Sequence, residues 1–84
     1  MARFMDVHLV METGLTPEQL HAAHQIDVAI QHRHGVRFLK YWYDPVTGRA
    51  FCLSEAPSKE AVLATHREGT GIVADEIFEV FEGE

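Results

Sequence analysis

The sequence of 84 residues predicts a single α+β domain, residues 1–84, with the element order strand, helix, strand, strand, helix, strand. Side chains of residues 3–11 alternate as in a strand, a capped helix begins near Thr16, and a turn at residues 44–48 separates two further apolar runs. This βαββαβ order is the split βαβ arrangement of the ferredoxin-like fold. We therefore expect a four-stranded antiparallel sheet with two helices on one face.

The first helix has a well-defined start in the sequence. Thr16 can cap it, Gln19 completes a capping box with Thr16, and Pro17 occupies the first helical position. We expect this helix to run to about His32 and to end at Gly35. Its apolar spacing predicts a core-facing stripe of Ala22, Ile26, Ala29 and Ile30.

The remaining elements follow from caps and turns. Ser58 caps a short second helix, whose predicted core stripe is Val62, Leu63 and His66. The other strands are predicted over residues 36–43, 49–55 and 76–81. Because crossover connections are right-handed, the first and third strands should occupy the centre of the sheet.

The two faces of the predicted sheet differ in character. Alternation in the first strand places Phe4, Asp6, His8 and Val10 on one face and Met5, Val7, Leu9 and Met11 on the other. We expect the helices to cover the Met5 face. The opposite face would then expose Phe4, Phe38, Trp42 and Phe81, which is too aromatic a surface to be left in water. We therefore expect a second subunit to pack on it and form a homodimer.

Charge and composition exclude several function classes. The formal net charge is −6, and the seven Lys and Arg residues are scattered, which argues against binding to nucleic acid or to anionic membranes. The single cysteine, Cys52, cannot form an internal disulfide, and no long apolar run follows the start of the chain. We expect a cytoplasmic protein with no nucleic-acid and no membrane partner.

Asp6 and His8 form the most informative pair in the sequence. They point to the same side of a strand that is otherwise apolar, so they are expected where water is scarce and where ionisable groups need a partner. The two side chains can be each other's partner, or the partner can be a metal ion or a substrate; the structural alternative is a charge cluster with Lys40 and Glu79. Cys52 is expected on the adjacent strand and the same face, where a soft sulfur would suit a transition metal.

The helices supply two further histidines of interest. His24 and Asp27 are expected on the outer side of the first helix, as an exposed metal site or a solvated face, too far round to share an ion with the strand pair. His66 lies on the apolar stripe of the second helix, which is typical of a hydrogen-bonded core residue.

Enzymatic function remains the second interpretation. The sequence contains no phosphate-binding glycine loop, Cys-x-x-Cys pair or serine nucleophile motif, so we expect a binding protein rather than an enzyme. A small dimeric α+β-barrel enzyme would use Asp6 to orient His8 as an acid–base pair, with Phe38 and Trp42 lining an apolar pocket. A purely structural or partner-binding module, with incidental histidines, is the third interpretation.

Several short segments together resemble a known protein family. They are Phe4-Met5-Asp6-Val7-His8, Ala23-His24-x-x-Asp27, Gly35-Val36 with the downstream Tyr41-Trp42, Phe51-Cys52-Leu53-x-Glu55-Ala56-Pro57, His66-Arg67-Glu68 and Ala74-Asp75-x-Ile77. In order and spacing, these segments are similar to those of the small bacterial nickel-responsive, nickel-binding proteins. The resemblance implies a ferredoxin-like fold, a homodimer and binding of Ni²⁺, with a role in metal handling or as a metal-responsive accessory.

The resemblance also implies a set of metal-related residues. Carried over by side-chain type, they are Asp6, His8, His24, Cys52 and His66. The chain departs from the family pattern at Thr70, where relatives often have a histidine. If that histidine is a ligand in relatives, this chain would bind metal more weakly or with a different geometry. Cu²⁺, Zn²⁺ and Co²⁺ accept the same donors, and raw affinity alone would favour Cu²⁺ over Ni²⁺.

Overall fold

The computed structural model describes residues 1–9 and 11–84. Its elements are β1 (Ala2–His8), α1 (Pro17–Ile30), β2 (Arg37–Tyr43), β3 (Ala50–Ala56), α2 (Lys59–Glu68) and β4 (Glu76–Val80). The strands form one antiparallel sheet in the order β2-β3-β1-β4, which puts the first and third strands in the centre. The predicted ferredoxin-like fold is confirmed. β1 ends at His8, earlier than predicted, and Val10 lies outside the described residues.

The helix ends form where the sequence predicted them. Thr16 Oγ1 accepts a hydrogen bond from the backbone N–H of Gln19, and the Gln19 side chain accepts one from the Thr16 N–H. After α1 the chain tightens into a 3₁₀ turn over Gln31–His34, and Gly35 ends it with a φ of +69°. Ser58 caps α2 by accepting a hydrogen bond from the N–H of Ala61. Both predicted caps are therefore confirmed.

The helices cover the face of the sheet opposite to the one predicted. Val62 of α2 forms the buried core with Phe4, Val36, Phe38 and Ala56. The prediction that the helices cover the Met5 face is therefore wrong. β1 is apolar on both sides, so hydrophobicity alone does not distinguish its faces. The polar groups of the Phe4 face can be buried because the helices bring polar partners to them.

The apolar stripe predicted for α1 is also wrong. Ile26 is 52% exposed, and Ala22 and Ala29 are exposed as well. Asp27 is buried instead, because its carboxylate finds hydrogen-bond partners on α2 and in the loop after it. A helix with a buried carboxylate on its inner side does not follow the rule that the most apolar stripe faces the core.

A β-bulge in β2 decides which aromatic side chains reach the helices. The register shifts between Phe38 and Lys40, so Phe38 pairs with Ser54 whereas Tyr41 pairs with Cys52. Trp42 consequently lies on the open face of the sheet and is 47% exposed. The predicted dimer surface of Phe4, Phe38, Trp42 and Phe81 is therefore wrong, because two of its members are in the core and Trp42 lies on the other face.

Neither helix in the described part of the chain has the length and apolar character needed to cross a membrane.

Candidate metal centre

Two central strands and one helix bring four potential ligands together. Asp6 on β1 stands directly opposite Cys52 on β3, and His8 follows Asp6 on the same side of β1. α2 lies over this face and contributes His66. One donor atom from each of the four side chains can be chosen so that all lie within 4.8 Å of one another. Such spacing is compact enough for the donors to share a single ion.

The imidazole of His66 joins two carboxylates inside the domain. Its Nε2 lies 3.1 Å from Asp6 Oδ2, and its Nδ1 lies 2.9 Å from Asp27 Oδ2. His66, Asp6 and Asp27 are all buried. The ring of His8 stands at right angles to that of His66, with the two ring centres 5.0 Å apart. The result is a buried chain of acid, imidazole and acid that connects α1, α2 and β1.

Two buried atoms of this cluster have no hydrogen-bond partner among the residues that the structure describes. They are Asp6 Oδ1 and His8 Nδ1. Outside the four-residue cluster, Ser54 Oγ is also buried without a hydrogen-bond partner among the described residues. His8 Nε2 lies 2.9 Å from Asp6 Oδ1, but the contact lacks the geometry of a hydrogen bond. A buried polar atom without a partner costs roughly 1–3 kcal/mol, so native proteins rarely retain one without a reason.

The cluster strongly changes the protonation of its members. Burial alone would lower the pKa of His66, but hydrogen bonds to Asp27 and Asp6 outweigh it and raise the pKa to about 9. Burial alone would raise the pKa of Asp6, but its contacts with His66 and His8 outweigh burial and hold the pKa below its ordinary value. In the metal-free protein at neutral pH, His66 is therefore an imidazolium ion between two carboxylates.

Cys52 is held as a neutral thiol in the metal-free protein. Burial raises the pKa of its thiol far above the ordinary value, and the nearby charge of Asp6 raises it further. A thiolate forms at such a position only when a cation compensates its charge, which a coordinated metal ion does. The sulfur is thus unreactive by itself and available to a metal.

Asp27 and Thr70 lie beside the cluster, whereas the sequence indicated Asp27 only as a neighbour of His24 on an outer face and Thr70 only as a departure from the family pattern. Asp27 Oδ1 accepts a hydrogen bond from the Thr70 N–H at 2.9 Å, and its Oδ2 faces His66. The prediction that Asp27 lies on the outer side of α1 is wrong. Its position one turn after His24 was the only available signal, and the contact with His66 joins residues 39 positions apart.

His24 lies beside the cluster rather than in the solvated position predicted for it. Its ring stacks on Tyr41, with ring centres 4.7 Å apart, and meets the edge of Phe38 at 5.7 Å. Burial lowers the pKa of His24, although the charge of Asp27 partly opposes this. The ring therefore faces the sheet. The prediction of an outward-facing His24 is wrong, for the same reason as for Asp27.

A small cavity of about 50 Å³ adjoins the four-residue cluster. His8, Cys52, His66 and His24 line one part of it, and Met11, Leu20, Ala23 and Ile72 line an apolar part. The last four residues also line a wider groove of about 360 Å³ between α1 and the loops that surround it. The shared residues place this groove directly beside the cavity.

The structure separates the alternatives that the sequence left open. Neither Phe38 nor Trp42 lines the cavity beside Asp6 and His8, so the predicted aromatic substrate pocket is wrong. Lys40 and Glu79 are exposed, and within residues 1–9 and 11–84 neither forms an ion pair with Asp6 or His8. The proposed charge cluster with these two residues is therefore also wrong.

Comparison with known proteins gives a consistent result. The family model described as "Nickel responsive protein SCO4226-like" matches residues 4–80 of the chain. The crystal structure of SCO4226 from Streptomyces coelicolor A3(2) superposes with a TM-score of 0.89 at 49% sequence identity, covering 99% of this chain and all of that one. No curated protein matches significantly. On the strength of the family match and the full-length structural likeness, the chain belongs to the SCO4226-like family of nickel-responsive proteins.

Proposed function

We propose that the protein binds Ni²⁺ through Asp6, His8, Cys52 and His66, and that it serves in nickel handling or as a metal-responsive accessory rather than as an enzyme. The observation that carries this proposal is the pair of unpartnered buried atoms, Asp6 Oδ1 and His8 Nδ1, within a compact set of four donors. Membership of a nickel-responsive family supports the choice of metal.

A purely structural ion-pair cluster accounts less well for the same geometry. In such a cluster the buried polar atoms would be expected to satisfy one another, because each orphan costs stability. Here His66 makes two hydrogen bonds, whereas within the described residues His8 Nδ1 makes none and Asp6 Oδ1 has only its 2.9 Å contact with His8 Nε2. Carboxylate oxygen and imidazole nitrogen are both ordinary metal ligands, so a bound ion would supply the kind of partner that these side chains lack.

The donor set also limits the choice of metal. Imidazole nitrogen, carboxylate oxygen and thiolate sulfur suit borderline transition metals such as Ni²⁺, Co²⁺, Cu²⁺ and Zn²⁺, and are a poor match for Mg²⁺ or Ca²⁺. For His66 and Cys52 to donate, each must release the proton that it carries in the metal-free protein. His24 is outside the four-donor cluster, and we assign it to the wall of the adjoining cavity.

Titration of untagged, metal-stripped protein with NiCl₂ by calorimetry tests the proposal. We expect wild-type protein and His32→Ala to bind alike, because His32 is an exposed histidine outside the cluster. His8→Ala should lose the tightest binding event, and His24→Ala should retain it. No saturable binding by wild-type protein, or an equal loss in His32→Ala, would refute the proposal.

We also infer that the protein is a homodimer and that the open face of the sheet is its interface. Register places Met5, Val7, Trp42, Phe51, Leu53 and Phe78 on this face. Trp42 and Phe78 are about half exposed in the single subunit, at 47% and 49%. Lys40 and Glu76 flank these residues on the same face. An apolar patch with charged residues at its edges is typical of an interaction site. Packing of two identical faces gives the closed two-fold arrangement common among dimers.

A cytoplasmic location completes the proposal. Cys52 is a free cysteine, and it can donate a thiolate to a metal only while the sulfur remains reduced. The reducing cytoplasm maintains that state.

A further inference from the structure

Building on the proposed nickel site, we propose that Asp27 is the positioning residue of that site: it fixes the ring of His66 so that Nε2 faces the ion. Asp27 is not itself a member of the four-donor cluster. Its role depends on three contacts, with His66, with Thr70 and with Gly69.

Both oxygens of the Asp27 carboxylate are engaged. Oδ2 accepts a hydrogen bond from His66 Nδ1 at 2.9 Å, and Oδ1 accepts one from the Thr70 N–H at 2.9 Å. The Thr70 hydroxyl adds a longer contact of 3.5 Å to Oδ2. Because two donors on different segments hold the two oxygens, the carboxylate has little freedom to rotate.

The fixed carboxylate determines which nitrogen of His66 is available. With Nδ1 bound to Asp27, the ring can turn only Nε2 toward β1, and Nε2 already lies 3.1 Å from Asp6 Oδ2. Metal-binding histidines commonly donate their second N–H to such a carboxylate, which sets the tautomer and makes the free nitrogen a better ligand. Loss of this kind of partner typically reduces metal affinity about 10–100-fold.

Gly69 makes the close approach of Asp27 possible. A Cβ atom added at Gly69 would lie 2.1 Å from Asp27 Oδ1 and 3.1 Å from its Cα. The second contact is with backbone, which cannot move aside as a flexible side chain does. Alanine at position 69 must therefore displace the Asp27 carboxylate. The variant still contains His66 and Thr70, the hydrogen-bonding partners of that carboxylate.

An asparagine cannot replace Asp27, because its side chain has one acceptor oxygen and the site has two donors on opposite sides. Asp27→Asn can accept from His66 or from Thr70 but not from both. Asp44→Asn is the matched control. Asp44 likewise accepts hydrogen bonds from backbone N–H groups and from a threonine hydroxyl, but it does so in the exposed turn before β3.

The experiment combines NiCl₂ calorimetry with ¹⁵N NMR of the histidine rings in metal-free protein. We expect Asp27→Asn and Gly69→Ala to weaken nickel binding about 10–100-fold and to shift both ring nitrogens of His66. Asp44→Asn and Gly83→Ala should match wild type, because a Cβ at Gly83 meets no atom of the described residues within 4 Å, its chain neighbours apart.

Each outcome decides a different question. Wild-type nickel affinity in folded Asp27→Asn and Gly69→Ala would overturn the positioning role, as would unchanged His66 ring signals in either variant. If Asp27→Asn does not fold, the nickel affinity and the His66 ring signals of Gly69→Ala alone test the positioning role. If wild-type protein binds no nickel, the proposed function fails, whereas the ring signals of the metal-free protein still test whether Asp27 orients His66.

Discussion

His66 on α2 reaches Asp6 on the central strand β1 through its Nε2 atom, at a distance of 3.1 Å. This contact joins residues 60 positions apart and lies in the buried interior of the domain. It places a helix residue directly above the strand pair that the sequence had singled out. The contact has measurable consequences for the stability of the metal-free protein.

The first prediction concerns pH. The pKa of His66 is about 9 in the folded protein and 6.5 in an ordinary histidine. The folded protein therefore binds the second imidazole proton more strongly than the unfolded chain does. The resulting stabilisation is complete below about pH 6.5 and is lost as the pH rises through about 9. It amounts to roughly 3 kcal/mol. We expect urea denaturation of metal-stripped protein to show a corresponding decrease in the free energy of unfolding between pH 6.5 and 9.

His66→Gln provides the control for this pH dependence. Glutamine cannot titrate, so the variant should be less stable at pH 6.5 but should lose much less stability on going to pH 9. A wild-type stability that stays constant across this interval would show that His66 is not held as an imidazolium ion.

Those features of the fold that depend on neighbours in sequence could be predicted from it. The capping box needs only Thr16 and Gln19, and the turn before β3 needs only residues 44–48. Features that depend on distant partners could not. The burial of Asp27 requires Thr70 and His66, which lie 43 and 39 residues further along the chain.

The candidate site was predicted to the extent that β-strand geometry determines it. Alternation correctly placed Asp6 and His8 on one side of β1, and the order of the strands placed Cys52 beside them. Neither rule indicates which face the helices cover when both faces are apolar. The bulge after Phe38 reverses the side to which Trp42 points, and no signal in the sequence marked it.

The second prediction concerns Cys52. Because its thiol has a strongly raised pKa, we expect it to react slowly with a thiol reagent in folded, metal-free protein near neutral pH. Addition of NiCl₂ should convert it to a metal-bound thiolate and produce a sulfur-to-nickel absorption band in the near ultraviolet. Cys52→Ser keeps the size of the side chain but should lack the band. Persistence of the band in that variant would remove Cys52 from the ligand set.

The third prediction tests the placement of Phe4 in the core. Phe4 belongs to the core, whereas Phe81 follows β4 and is 94% exposed. Phe4→Ala should reduce the free energy of unfolding by about 3–5 kcal/mol, because it leaves a cavity beneath the helices. Phe81→Ala should change it by less than about 0.5 kcal/mol. Chemical denaturation measures both values, and similar losses in the two variants would contradict the placement of Phe4 in the core.

The last prediction concerns the proposed dimer. Phe78 lies on the open face of the sheet and is 49% exposed, and Ile26 lies on the outer side of α1 and is 52% exposed. The two positions are thus similar in exposure and differ in the surface they occupy. Phe78→Glu should convert the dimer to a monomer, since a buried carboxylate without a partner opposes sheet-to-sheet packing. Ile26→Glu should leave the dimer intact. Light scattering at micromolar concentration distinguishes the dimer from the monomer. A monomeric wild-type protein would show that the open face is not the interface. Dissociation of the dimer by Ile26→Glu rather than by Phe78→Glu would show the same.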